Sequence, residues 1–261
     1  MIIEFFGPPS AGKTTLALTV TDQLRTQGYK VADHFSLRPF ERQPTAFDGE
    51  SPLRLLLKPV LSRVGRPFGQ ILNSARSLSR RDLQVLRDFF GALPPRSLLA
   101  SLRLAQYFLR LEAEWNAAAG SGEIALFDQA YVQFICSLVL HSNRSDGARL
   151  AHVLSISPEP DILILVDAPE ETLERRLQQR LRQQSFFERL LEFDMKTNLA
   201  STRVIGEIAE LLTQQGRSFT RVSSIGPAAF RTILDSIASQ LPPPRFRKPV
   251  QTWCSAPNET V

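Results

Sequence analysis

The sequence predicts an α/β domain built on a parallel sheet with helices on both faces. Three observations predict it. A short apolar run, IIEFF, leads directly into GPPSAGKTT at residues 7–15. Further apolar runs of strand length then alternate with long stretches at helical spacing, the arrangement that covers a parallel sheet on both sides. Two of those runs end on a carboxylate, Asp128 in FDQ and Asp167 in LVDAPEE.

Each element follows from its residues. MIIEFF is the first strand. Leu16, Leu18, Val20 and Leu24 recur at helical spacing over residues 14–25, and Gly28 breaks that helix. YKVADHF begins the second strand. Residues 36–76 are irregular and rich in Arg, Pro and Gly; PLRLLLKPVLSRV within them suits a short amphipathic helix that Pro59 kinks or divides. Helices are expected at 79–89 and 96–119. GSGEIALFDQ is a turn and the third strand, with helix over 129–140. DILILV, residues 161–166, is the fourth strand. A charged helix starts at DAPEETLERRLQQRLRQQ and continues through FFERLLEFDMKTNLASTRVIGEIAELLTQQG. RSFTRVSS is the fifth strand, and PAAFRTILDSIASQL closes the domain as a helix.

Composition bounds the chemistry. The chain has 261 residues, 43% of them apolar, enough for one large core. Its formal charge of +5, from 31 Lys and Arg against 26 Asp and Glu, suits a protein that handles anions. A small phosphorylated ligand satisfies that balance, and no nucleic-acid partner is expected. Cys136 and Cys254 lie too far apart for a disulfide framework, which makes a reducing cytoplasm the simplest compartment. His34, His141 and His152 have no zinc spacing. No segment reaches the ~18 apolar residues of a membrane span, and no signal peptide is expected before IIEFF. The tail at 241–261 is proline-rich and basic at its start, an extended surface segment.

The loop at residues 7–15 fits the phosphate-loop pattern GxxxxGK[ST]. A backbone that wraps a phosphate must turn several N–H groups to one point. Gly7 and Gly12 take the conformations this needs, and Ser10 and Ala11 supply further amides. The following helix adds its free N–H groups and the positive end of its dipole. Lys13 reaches the β- and γ-phosphates, the Thr14 hydroxyl ligates Mg²⁺, and Thr15 supports the loop or touches the α-phosphate. Asp128, ending the third strand, can face the loop and hold a metal-bound water or orient a catalytic group. Asp167 reads as a cap on the next helix. Arg175, Arg176, Arg180, Arg182 and Arg189 follow it; Arg176 and Arg180 are four apart on one helical face. Guanidinium groups placed there can close over a moving phosphoryl group as a lid.

GPPSAGKTT, FDQAY at 127–131 and PDILILVDAPEETLERRLQQR at 160–180 together resemble the thymidylate-kinase-like branch of the P-loop nucleoside and nucleotide kinases, over residues 1–35 and 100–225. The resemblance implies a P-loop kinase fold: a five-stranded parallel sheet flanked by helices, a helical insert and an arginine-rich lid. It implies ATP and Mg²⁺ as cofactors and transfer of the γ-phosphoryl group to an acceptor above the strand ends. It makes Lys13 and Thr14 phosphate and metal residues, and Arg176 and Arg180 lid residues. On this plan residues 1–240 are the kinase domain, with an acceptor-side insert at 36–95 and the lid at 170–195. Two positions depart from the pattern: Pro9 replaces an acidic residue, and Gln129 replaces the arginine after the strand-3 Asp. Gln carries no permanent charge to clamp an anion, which turns the reading away from thymidylate.

A hydroxyl acceptor needs a carboxylate to orient or deprotonate it. Asp33, ending the second strand, is the first choice; His34 has the opposite strand parity, and Asp128 is the second candidate. An acceptor that is already a phosphate needs cationic clamps instead, for which Arg38, Arg42, Arg80, Arg81, Arg103 and Arg110 are candidates. The insert also holds Arg54, Lys58, Arg63, Arg66, Arg76 and Arg87 beside an apolar stripe. It reads as a pocket cover, a peripheral membrane contact, or a plain solvated subdomain. Tyr107, Phe108, Leu111 and Trp115 form a core stripe whose pocket end, at Tyr107, can touch the acceptor. Phe186, Phe187, Leu190 and Phe193 read as a second core stripe, and Cys136 as a buried residue without chemistry. The expected activity is ATP-dependent phosphoryl transfer to a small-molecule hydroxyl. A nucleoside monophosphate kinase and a P-loop ATPase or regulator without transfer are the alternatives. Exposed helices leave a homodimer open.

Overall fold

A computed structural model describes residues 1–35, 80–142, 146–183, 195–224 and 228–241. The insert residues 36–79, with Arg38, Arg42 and the apolar stripe, lie outside the described residues. So do the side chains of Arg180 and Arg182, the Phe186–Phe193 stripe with Arg189, and the tail from residue 242.

Five strands form one sheet: β1 (Ile2–Phe6), β2 (Val31–His34), β3 (Ile124–Phe127), β4 (Ile162–Asp167) and β5 (Thr220–Ser223). Their order is β2-β3-β1-β4-β5, and every pair is parallel. Eight described helices connect and cover them: α1 (Lys13–Thr26), α2 (Arg80–Ala92), α3 (Leu98–Ser121), α4 (Tyr131–Leu140), α5 (Gly147–Ile156), α6 (Glu170–Gln183), α7 (Met195–Gln214) and α8 (Ala228–Ala238). This is the expected P-loop kinase-like fold, with Arg175 and Arg176 on the helix that leads into the lid region.

The two-residue period of β1 divides the core. Ile3 and Phe5 face a cluster with Ala17, Val20 and Leu24 of α1 and with Ile233 and Ile237 of α8. Ile2 and Phe6 face a larger cluster built from α2, α3, α4, α5 and α7. Phe108, Leu111 and Trp115 belong to it and are buried, as the core reading of that stripe requires. Burial on both faces explains why β3 and residues 162–166 of β4, inside the sheet, are apolar along their length, while the edge strands β2 and β5 are not.

Local signals set most element ends. Gly28, at φ 88°, follows the last turn of α1, and Gly122, at φ 68°, ends α3. Ser97 caps α3 by accepting from the Ala100 N–H at 3.2 Å. Helix α5 has no counterpart in the sequence reading. Asp146 starts it by accepting from the Arg149 N–H at 2.9 Å, and its buried Leu150, Val153 and Leu154 pack into the larger cluster.

The closest backbone approach lies where β1 ends. Gly7 has φ 148°, and a Cβ built there would stand 2.1 Å from the Val166 carbonyl oxygen in β4. That oxygen is strand backbone rather than the end of a flexible side chain, so it cannot simply give way. Gly28 also has positive φ, but a Cβ there meets nothing within 4 Å. Gly28→Ala is therefore expected to cost about 1 kcal/mol from backbone strain alone, and Gly7→Ala roughly 3 kcal/mol or more from strain plus collision. Urea unfolding midpoints check this; equal losses in the two variants contradict the close approach.

Candidate functional site

The crevice between β1 and β3 is where the chain turns both ways. After β1 the connection runs through α1 to β2 on one side, and after β3 it runs through α4 and α5 to β4 on the other. Ligands of open α/β sheets bind outside the carboxyl ends of strands at such a switch point. The loop after β1 and Asp128 after β3 stand on its two rims.

The loop has the strained backbone of a binding turn. Gly7 and Gly12 have φ of 148° and 97°, and Ser10, at φ 63°, is the one non-glycine residue with positive φ among those described. Helix α1 starts at Lys13 after Gly12 with no side-chain cap, so its first amides are left to the loop itself. The Ser10 hydroxyl is buried and has no hydrogen-bond partner. Thr15, by contrast, is exposed.

Lys13 is buried, and its Nζ donates to the carbonyls of Gly7 and Pro8, both at 2.8 Å. Burial pulls its pKa down to about 8, against the neighbouring charge of Asp128, which holds it up. Asp128 is fully buried, and its Oδ2 accepts a 2.6 Å hydrogen bond from the Thr14 hydroxyl. Loop, helix start and third strand are thus tied at one point. Cys136, on α4, is buried beside this group, and burial pushes its thiol up to about 12.

Arg176 reaches the loop from α6. Its Nη1 donates to the Ser10 carbonyl at 3.3 Å, the Ala11 carbonyl at 3.4 Å and the Ser224 hydroxyl at 3.0 Å. Ser224, just past β5, has no motif around it and was not singled out by sequence. Asp167 is not a helix cap. Its Oδ1 accepts from the adjacent Ala168 N–H, and its Oδ2 lies 3.6 Å from Arg221 of β5, while α6 begins three residues later.

Other expected residues stand elsewhere. Asp33 pairs with Leu126 in register and turns to the α1 face, where its Oδ1 lies 2.6 Å from Arg25. Both side chains are substantially exposed, at 39% and 44%. His34 takes the opposite face, as its parity predicts; it stacks on Phe127 at 4.5 Å and lies 3.9 Å from Glu114. Arg81 and Arg103 are exposed, and Arg103 acts electrostatically on His141. Arg110 lies 3.8 Å from Glu114 and 5.8 Å over the Tyr107 ring.

Tyr107 packs edge-on against Phe134 of α4, its hydroxyl buried without a partner. Burial and the charges of Glu4 and Asp128 raise its pKa, while Arg110 acts to lower it. The Gln133 side-chain oxygen is also buried and unpartnered. Glu4, in the middle of β1, is fully buried, and burial raises its pKa to about 7. The sequence reading passed over both Glu4 and Gln133. The signal for Glu4 was present: one acid inside the apolar run IIEFF.

Among the described residues, no group of three or more His, Cys, Asp or Glu side chains could hold a metal ion. Thr14 and Asp128 suit a different kind of ion: a hard cation that keeps several waters and takes one or two protein oxygens. No described helix is long and apolar enough to cross a membrane.

No family model matches the sequence, and no curated protein matches it. Among solved structures, 161 chains match. One is a deoxyadenosine kinase from M. mycoides, determined with the products dCMP and a flexible dCDP bound. It is 15% identical, the alignment covers 92% of this chain and 100% of that one, and the TM-score is 0.47.

Proposed function

We propose that the chain is an ATP-dependent phosphotransferase that moves the γ-phosphoryl group of ATP to a hydroxyl of a small molecule. The observation that carries this is the Thr14–Asp128 hydrogen bond, which closes the crevice around a buried lysine at a phosphate-loop pattern. In this reading the loop amides from Gly7 to Gly12 and the start of α1 hold the polyphosphate, and Lys13 neutralises its β and γ oxygens. Thr14 would ligate Mg²⁺ and Asp128 would hold a water of its shell; when bound, the ion screens charge on the phosphates. Arg176 contacts the loop that would hold the phosphates, so a guanidinium stands ready at the donor side. Arg180 is its expected partner in the lid.

The reaction is a direct displacement. The acceptor oxygen forms a bond to the γ-phosphorus as the bond to the β,γ-bridging oxygen breaks, and ADP leaves. The acceptor proton passes to a carboxylate. We assign that carboxylate to Asp128 ahead of Asp33, because Asp128 lies in the crevice whereas Asp33 is engaged by Arg25 on the α1 face. A hydroxyl acceptor is favoured over a monophosphate because uncharged Gln129 follows Asp128, where the resemblance calls for an arginine to clamp an anion.

An ADP-release screen with nucleosides, nucleoside monophosphates, sugars and other alcohols tests the activity. Acceptor-dependent release with an alcohol is expected. Release with monophosphates alone selects the thymidylate-type alternative, and release indifferent to every acceptor makes the chain an ATPase. With the best acceptor, Lys13→Ala and Asp128→Asn should each lower kcat by about a hundredfold or more. Asp33→Asn should stay within about threefold; a larger loss returns the base to Asp33.

The lowered pKa of Lys13 gives a pH dependence. Phosphate oxygens favour the charged ammonium, so binding ATP above pH 8 must draw a proton onto Lys13. ATP affinity should fall as pH rises past about 8, with proton uptake on binding. Calorimetry in buffers of different ionisation enthalpy measures this; proton release, or none, contradicts it.

A further inference from the structure

Helix α4 begins without a local cap. Its N-cap residue is Ala130, at φ −130° and ψ −132°, which makes no side-chain hydrogen bond to the first turn. Alanine is among the poorest residues at that position, and α4 opens in the protein interior, where unpaired amides are costly. The missing acceptor comes from the other end of the chain. Glu4 Oε1 accepts from the Val132 N–H at 2.8 Å, and the amides of Gln133 and Ala130 also act on its carboxylate.

The same Glu4 is paired in register with Phe127, the residue before Asp128. Glu4 therefore grips both ends of the corner formed by Asp128, Gln129 and Ala130. One end is fixed by strand pairing and the other by a side-chain bond. Asp128 stands in that corner, aimed at Thr14. Val132 is also buried in the cluster that holds Ile2 and Phe6 of β1, so the Glu4 hydrogen bond adds direction to a packing contact with the sheet.

We propose that Glu4 is a positioning residue: a non-local helix cap that fixes the corner carrying Asp128, and through it the alignment of the phosphoryl-transfer site. For its catalytic consequence the inference rests on the kinase reading above; the cap itself does not. The groups that face Glu4 are Arg217, between α7 and β5, Tyr107 of α3 and Tyr131 of α4. Arg217 is already engaged by Glu159, the Leu154 carbonyl and the Ser157 hydroxyl, and the Tyr131 hydroxyl donates to Glu112. Oε1 is thus left to the α4 amides, and Oε2 is buried without a hydrogen-bond partner.

Two measurements on the full chain test this. Hydrogen exchange of the nucleotide-free protein reads the cap directly. The amides of Val132 and Gln133 should exchange about tenfold faster in Glu4→Leu than in wild type, and near the wild-type rate in Glu4→Gln, which keeps an oxygen in place. Kinetics with the acceptor from the screen read the consequence. Glu4→Leu should lose about tenfold or more in kcat with KM for ATP within about twofold, and Glu4→Gln should restore most of the loss. Should Glu4→Leu not fold, Glu4→Asp replaces it, because the shorter side chain withdraws the acceptor from Val132. Unchanged exchange in the Leu or Asp variant overturns the cap. Faster exchange with wild-type kcat overturns the positioning role. A wild-type chain with no acceptor-dependent turnover refutes the kinase reading instead, and the exchange result still decides the cap.

Discussion

The hydrogen bond from Thr14 to Asp128 is the constraint on which the site depends. It joins the first turn of α1 to the end of β3, residues 114 apart in sequence, across the crevice where the chain changes direction. The bond is short at 2.6 Å and its acceptor is fully buried, so it fixes Asp128 against the loop rather than leaving it to solvent. Lys13, one residue away, is then held between the loop carbonyls and that carboxylate. A phosphate loop without such a partner is an anion cradle. With it, a hydroxyl, a carboxylate and an ammonium converge beside the loop.

Much of this was legible in the sequence because short-range physics decides it. The GxxxxGK[ST] spacing fixes where a strand must end and a helix begin, and apolar runs of four to six residues between helical stretches leave little but a parallel sheet. Strand parity placed Asp33 and His34 on opposite faces. Parity could not foresee that Arg25, eight residues earlier, would take up Asp33, because that pairing depends on how α1 packs back on β2. Helix α5 was overlooked although Asp146 is a good cap and Leu150, Val153 and Leu154 have helical spacing; the stretch is only ten residues long. Asp167 was misread as a cap because the chain continues through Ala168 and Pro169 before the helix starts, leaving the carboxylate to Ala168 and Arg221.

Arg176 shows how far a helical-face argument reaches. The spacing of Arg176 and Arg180 identifies a shared face, but not what that face meets. The structure gives Arg176 three acceptors, two of them loop carbonyls. The guanidinium therefore ties α6 to the loop and to the end of β5. Ser224 joins the site by accepting from Arg176 and by lying beside Gly12, contacts that no sequence motif marks.

Lys13 and Glu4 are two buried ionisable groups whose burial opposes their charge, and the linkage signs show what each does to the fold. Glu4 has a folded pKa of about 7 against an ordinary 4.5, so the stability it lends is full below 4.5 and is lost as pH rises through 7. Lys13, at about 8 against 10.5, lends its stability in full above 10.5 and loses it as pH falls through 8. At neutral pH neither group is at its best for folding. An apolar side chain of similar size at either position would avoid that loss, as the Ile and Phe residues around Glu4 do. What the two groups supply instead is local: Lys13 a cation inside the loop, Glu4 an acceptor at an otherwise uncapped helix. Both act within a few residues of the Thr14–Asp128 bond. The stability the fold forgoes is thus concentrated at the one crevice where charge and exact placement have chemical use.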